Sequence, residues 1–146
     1  MPSEGSVLVT VETSAANASL ARQFIAHAGL TDKISVIDGS VSGGELLEYL
    51  KTEASGEAEG ATVAPFDLAF IDHDKTAYLT DLKYMLKESL VVKGSVLVAD
   101  NILFPGAPDY RKFVKSQPEV FETTEHFGHV EHLPFIKDCI TVSTML

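Results

Sequence analysis

The chain has 146 residues, of which 45% are hydrophobic, enough for the core of one domain but not of two. Its formal net charge of -10 argues against binding to nucleic-acid phosphates or to anionic membranes, and leaves a small molecule as the expected partner. A lone cysteine, Cys139, excludes an intrachain disulfide and a cysteine-based metal cluster.

The beginning of the sequence does not resemble a signal peptide, because Met1–Ser6 is polar and the apolar run Val7–Val11 is short. No stretch reaches membrane-spanning length. We therefore expect one cytoplasmic domain over residues 1–146.

Strands and helices are predicted to alternate along most of the chain. Four runs of apolar and β-branched residues predict strands: 7–11, 34–37, 66–71 and 95–99. Apolar residues at helical spacing predict the helices between and after them: 15–28, 44–51, 78–89 and 109–115. The first helix carries a stripe of Leu20, Phe24 and Ala28. Tyr78 and its neighbours at helical spacing are expected to pack in the core.

The last part of the chain predicts two further strands, 120–126 and 138–144, joined by a polar segment that permits an antiparallel return. The expected fold is α/β and doubly wound, with a mostly parallel sheet and an antiparallel C-terminal edge. The run 95–99 is typical of a strand buried on both faces. Segment 51–65 is predicted to be a solvated loop.

Polar side chains follow the two central strands at the point where each strand ends. Asp72, His73 and Lys75 follow 66–71, and Asp100 and Asn101 follow 95–99. If these strands are parallel neighbours, their carboxyl ends share the edge at which open α/β sheets bind ligands. Three oxygen donors without cysteine or paired histidines favour Mg²⁺ over Zn²⁺.

Such an ion could hold a vicinal diol and lower the pKa of a bound hydroxyl. Lys75 lies one turn beyond Asp72, so it could accept the released proton. The alternative is that Asp72 and Asp100 cap turns or helices and that Lys75 is solvated. Glu12, at the end of the first strand, could accept hydrogen bonds from a ribose.

Two blocks of residues resemble the catechol O-methyltransferase family: Phe70–His73 with Lys75 and Tyr78, and Ala99–Asn101 with Pro105–Asp109. Glu12 and Ala28–Lys33 fit the same register. The resemblance covers nearly the whole chain. It implies a Rossmann-like methyltransferase fold, and Mg²⁺-dependent transfer of a methyl group from S-adenosylmethionine to a catechol hydroxyl, in catecholamine metabolism.

The resemblance also implies roles for individual residues. Its Mg²⁺ ligands would be Asp72, Asp100 and Asn101, with Lys75 as the general base. The residues expected to bind S-adenosylmethionine are Glu12, Thr13, Ser40, Ser42, Asp72 and His73. The residues expected to contact the catechol are Lys75, Asn101, Pro105 and Glu131.

The sequence departs from the family pattern in several places. Asp74 replaces a tryptophan, and Val41 stands at the place of an adenine-contacting serine. The family's first strand and its glycine-rich loop are not found in these residues. Since that strand lies between 7–11 and 66–71 in the family, we expect uncovered strand edges, closed by direct pairing or by self-association.

Three functions remain open from the sequence. The metal-side residues favour a Mg²⁺-dependent O-methyltransferase of the catechol type. The missing loop favours a non-catalytic binding or oligomerisation module that has lost the donor site. A remoter alternative is a phosphoryl-transfer domain, which would take up phosphate at an aspartate and would not bind S-adenosylmethionine.

Overall fold

The computed structural model describes residues 6–55, 63–130 and 132–146. The chain divides into two compact units, Met1–Val63 and Ala64–Leu146, and each has its own sheet. The single domain expected over residues 1–146 therefore stays a prediction. Among the described residues, no helix combines the length and the apolar character needed to span a membrane.

In the part of the first unit that the structure describes there are two strands and two helices: β1 (Leu8–Glu12), α1 (Ala15–His27), β2 (Ile34–Asp38) and α2 (Glu45–Ser55). The strands pair in parallel, with Glu12 opposite Asp38 at their carboxyl ends. Helix α1 begins after Ser14, whose hydroxyl accepts a hydrogen bond from the Asn17 amide at 3.4 Å. Beyond its end, Gly29 has a φ of 68°, which glycine adopts without steric cost.

The apolar stripe predicted on α1 is not buried. Leu20 and Phe24 are 51% and 66% exposed, and Ala28 is exposed as well. Helix α1 contacts β1 and β2, and the residue that it buries is Ala18. The spacing correctly predicted a helix, but a periodicity does not show whether anything covers the apolar face.

Helix α2 is longer than expected. It buries Leu46 and Leu47 and leaves Leu50 half-buried. It continues to Ser55, so the loop predicted from residue 51 is wrong over its first five positions. The part of that loop at 56–62 lies outside the described residues.

The second unit contains the remaining elements: β3 (Leu68–Ile71), α3 (Tyr78–Lys87), β4 (Val96–Ala99), one π-helical turn (Ile102–Gly106), α4 (Pro108–Lys115), β5 (Phe121–Val130) and β6 (Leu133–Met145). The sheet order is β3-β4-β6-β5. Strands β3 and β4 are parallel, whereas β6 runs antiparallel to both β4 and β5. The predicted antiparallel C-terminal edge is thus confirmed, while the π-helical turn was not predicted.

Burial in the second sheet is uneven. Leu97 and Ala99 of β4 are fully buried, but Val96 and Val98 are only half-buried. The prediction that this strand is buried on both faces was therefore wrong. In β3, Phe70 is 62% exposed. Helices α3 and α4 supply several of the large buried side chains of this core: Tyr78, Leu82, Met85, Tyr110 and Val114.

Candidate active site

The ends of β3 and β4 lie side by side. Their parallel register pairs Ile71 with Ala99, and the Asp100 amide still donates to the Ile71 carbonyl at 3.0 Å. Asp72 and Asp100 are the next residues of the two strands, so both follow the sheet at the same edge. The sequence predicted this arrangement from the position of the two acids.

Lys75 and Tyr78 join the two strand ends through hydrogen bonds. Lys75 Nζ donates to Asp72 Oδ1 at 2.8 Å and to Tyr78 Oη at 2.6 Å. Tyr78 Oη donates to the backbone carbonyl of Asp100 at 3.0 Å. Tyr78 was predicted only as a core residue. Its ring is fully buried, but its hydroxyl belongs to the site, as the polar end of a tyrosine could have suggested.

The surroundings of the Lys75 amine favour its protonated form. Burial lowers its pKa, but the hydrogen bonds with Asp72 and Tyr78 outweigh burial and raise the pKa above its ordinary value. Burial also raises the pKa of the Tyr78 hydroxyl. A general base needs the opposite shift, so Lys75 could act as one only after giving up its bond to Asp72.

Asn101 has an unusual backbone conformation, with φ 55° and ψ 42° in the left-handed region that asparagine tolerates better than most residues. Its amide N–H donates to Asp100 Oδ1 at 2.6 Å, which fixes one oxygen of that carboxylate. Its side-chain Nδ2 donates to Asp138 Oδ2 at 2.9 Å. The turn after β4 therefore sets the directions of both polar side chains.

Asp138, in β6, was not predicted as a site residue. Its carboxylate is buried, and Oδ1 accepts from the backbone amides of Leu103, Phe104 and Cys139 at 3.0, 3.1 and 2.7 Å. Burial disfavours its ionised form, but these hydrogen bonds and the one from Asn101 lower its pKa below the ordinary value. An acid inside a strand-like segment was the signal that could have identified it.

His73 is held by α3. Its Nε2 lies 2.8 Å from Asp81 Oδ2, and its ring centroid lies 5.0 Å from that of Tyr78. The His73 side chain is still 41% exposed. Its expected contact with a heterocycle stays a prediction.

The residues expected to bind the cofactor from the first unit lie at strand ends and in a turn. Glu12 Oε1 accepts from the Ser14 amide at 2.7 Å, and neighbouring Thr13 is exposed. The turn after β2 closes on itself, because the Gly43 amide donates to Ser40 Oγ at 2.9 Å. Ser42 is half-buried in the same turn.

The residues expected to contact the substrate are described only in part. Pro105 is exposed in the π-helical turn, with Leu103 and Phe104 beside it at 39% and 41% exposure. This places exposed apolar surface just after Asn101. Glu131 lies outside the described residues, so its expected contact with a hydroxyl stays a prediction.

A divalent cation such as Mg²⁺ requires several oxygen donors at one place. Within the described ranges, no group of three or more His, Cys, Asp and Glu side chains could hold a metal ion. The predicted set is different, since it combines two acids, Asp72 and Asp100, with the amide of Asn101. Because Nδ2 of Asn101 is taken up by Asp138, its Oδ1 is the atom left to act as a ligand. These oxygen donors fit Mg²⁺ in their chemistry.

Comparison with known proteins gives related sequences along most of the chain. A family model described as O-methyltransferase matches residues 1–122. A probable O-methyltransferase of Mycobacterium tuberculosis is 39% identical over 139 residues, which cover 94% of this chain and 57% of that protein. Catechol O-methyltransferase B of Danio rerio is 38% identical over 128 residues, 88% of this chain and 45% of that protein. The chain spans about half the length of the curated relatives it matches.

Solved structures share the fold. An O-methyltransferase from Bacillus cereus in complex with SAH has a TM-score of 0.73 and 23% identity, covering 99% of this chain and 64% of that one. An SAH-bound methyltransferase of Podospora anserina has a TM-score of 0.69 and 18% identity, with 96% and 61% covered. The α/β methyltransferase fold expected from the sequence is thereby confirmed.

Proposed function

The chain belongs to the O-methyltransferase family, and on this premise we propose that it transfers a methyl group from S-adenosylmethionine to a hydroxyl oxygen of a small molecule. The observation that carries the proposal is the register of β3 and β4, which brings Asp72 and Asp100 to one edge of the sheet. The family match favours this enzyme over the non-catalytic module. It also favours methyl transfer over phosphoryl transfer.

We propose further that the enzyme uses Mg²⁺ and a catechol-type substrate. Asp72, Asp100 and Asn101 would hold the ion, which when bound would lower the pKa of a substrate hydroxyl. The similarity to catechol O-methyltransferase B supports this substrate class. The exposed apolar side chains after Asn101 offer a surface for an aromatic ring.

Lys75 is our candidate for the general base. Its Nζ lies beside Asp72 and Tyr78, so the hydrogen bonds of both residues hold the amine near the proposed ion. The raised pKa of Lys75 favours the protonated amine, so the role requires that the bond to Asp72 be exchanged when substrate binds.

The remaining assignments are proposals that follow from the family resemblance. The proposed contacts of S-adenosylmethionine are Glu12, Thr13, Ser40, Ser42, Asp72 and His73. The proposed contacts of the catechol are Lys75, Asn101, Pro105 and Glu131. A cytoplasmic location and self-association through an uncovered sheet edge also stay predictions.

The proposal is tested by calorimetric titration with S-adenosylmethionine, with and without Mg²⁺, and by mass spectrometry of a catechol incubated with both. We expect donor binding and an added methyl group, and Asp100→Asn should abolish methylation. Asp109→Asn is the matched control, because it removes the same charge from an exposed position at the start of α4. Absence of binding at millimolar donor would contradict the proposal.

A further inference from the structure

The side-chain amide of Asn101 has a defined orientation. An ionised carboxylate can only accept hydrogen bonds, so the atom that Asn101 presents to Asp138 must be its donor, Nδ2. The carbonyl oxygen Oδ1 is then directed away from Asp138. Rotation of the amide by 180° would place two acceptors against each other and lose the hydrogen bond.

Asp138 itself cannot easily move. Three backbone amides bind its Oδ1, and two of them, Leu103 and Phe104, belong to the π-helical turn directly after Asn101. The residue is only 6% exposed, so water cannot readily replace these donors. One carboxylate thus fixes both the turn and the amide of Asn101.

We propose that Asp138 is a positioning residue, which holds Asn101 so that Oδ1, and not Nδ2, faces the divalent cation. This inference rests on the proposed function, because it assumes that Asp72, Asp100 and Asn101 share an ion. The inference also explains why position 101 holds an asparagine. An aspartate there would place its carboxylate against that of Asp138, with no hydrogen-bond donor between the two negative charges.

The exchange of donor and acceptor provides the test. In Asp138→Asn, the new side chain is of the same size but can present an NH₂ group to Asn101, which favours rotation of the Asn101 amide and turns its Nδ2 toward the ion. We expect the affinity for Mn²⁺, measured by calorimetry and water-proton relaxation, to fall about 10- to 100-fold. Asp109→Asn should bind Mn²⁺ like the wild type.

The double variant Asn101→Asp with Asp138→Asn restores a donor facing an acceptor and keeps the net charge. It should regain at least the wild-type affinity for Mn²⁺. Unchanged affinity in Asp138→Asn, or a double variant as weak as the single one, would overturn the inference while leaving the metal site intact. A wild-type protein that binds neither Mn²⁺ nor Mg²⁺ would instead remove the proposed metal site, and the inference with it.

A measurement on the wild type covers the case in which Asp138→Asn does not fold. The side-chain amide protons of Asn101 should show a hydrogen-bonded NMR shift that persists on saturation with Mg²⁺, while the Asn101 Cγ resonance moves. Loss of the hydrogen-bonded shift on adding Mg²⁺ would show that Asp138 does not hold the amide in the bound state, and would overturn the inference.

Discussion

Glu125 offers a quantitative test of the electrostatics that join α4 to the sheet. Its two carboxylate oxygens accept from Arg111 Nε at 2.6 Å, from an Arg111 terminal nitrogen at 3.1 Å and from Lys115 Nζ at 2.8 Å. The hydrogen bonds from Arg111, helped by Lys115, lower the pKa of Glu125 from 4.5 to about 2. Glu125→Gln removes the charge and keeps the shape.

The expected cost follows from this pKa. A shift from 4.5 to about 2 corresponds to about 3 kcal/mol of folding free energy as an upper bound. Arg111 and Lys115 are 34% and 46% exposed, so solvent screens both partners and reduces the gain. We therefore expect Glu125→Gln to lower the free energy of unfolding by about 1 to 2 kcal/mol at pH 7.

Urea denaturation at several pH values checks this expectation. Because the pKa is lowered in the folded state, the stabilisation by Glu125 is complete above pH 4.5 and is lost as the pH falls toward about 2. The difference in the free energy of unfolding between wild type and Glu125→Gln should therefore become smaller below pH 4.5. Glu122→Gln, at an exposed position of the same strand, is the control for charge alone. A difference that is absent at pH 7, or that does not change with pH, would refute the reasoning.

Three further predictions follow from the site and the sheet. Lys75→Met should keep the binding of S-adenosylmethionine but lower turnover by about 10² to 10⁴ in a steady-state methylation assay, and unchanged turnover would exclude Lys75 as the base. Tyr78→Phe should cost about 1 to 2 kcal/mol in urea denaturation, because the carbonyl of Asp100 loses its donor while the ring stays packed; an unaltered midpoint would contradict this. The exposed β3 residues Leu68 and Phe70 predict self-association, which Phe70→Glu should abolish in analytical ultracentrifugation, and a monomeric wild type would disprove it.

Much of the fold could be predicted because its signals are local. The alternation of β-branched runs and helical spacing located the strands and helices, and the acids after Ile71 and Ala99 indicated where the two parallel strands end. The prediction of which side chains are buried was less successful. Leu20 and Phe24 have the spacing of a core-facing helix, yet both are exposed. The prediction failed because periodicity shows which residues share a face of the helix, but not what contacts that face.

The candidate site was predictable only for side chains close to their own strand ends. Asp72 and Lys75 are three residues apart, so a single turn brings them together. Asp138 is 37 residues from Asn101 and reaches it only because β6 pairs antiparallel with β4. A contact of this kind depends on sheet register, which the sequence of either segment alone does not specify.

The hydrogen bonds of the site give its proposed ligands a common property. Asp72 is held by Lys75, Asp100 by the Asn101 amide, and Asn101 by Asp138. The fold has therefore already offset part of the entropy of ordering these side chains, which a cation would otherwise have to overcome. Of these restraints, the hydrogen bond between Asp138 and Asn101 can be removed without replacing a proposed ligand. A loss of cation affinity in Asp138→Asn, with Asp109→Asn as the control for charge, would measure the orientation of Asn101, since the ligand atoms themselves remain in the chain.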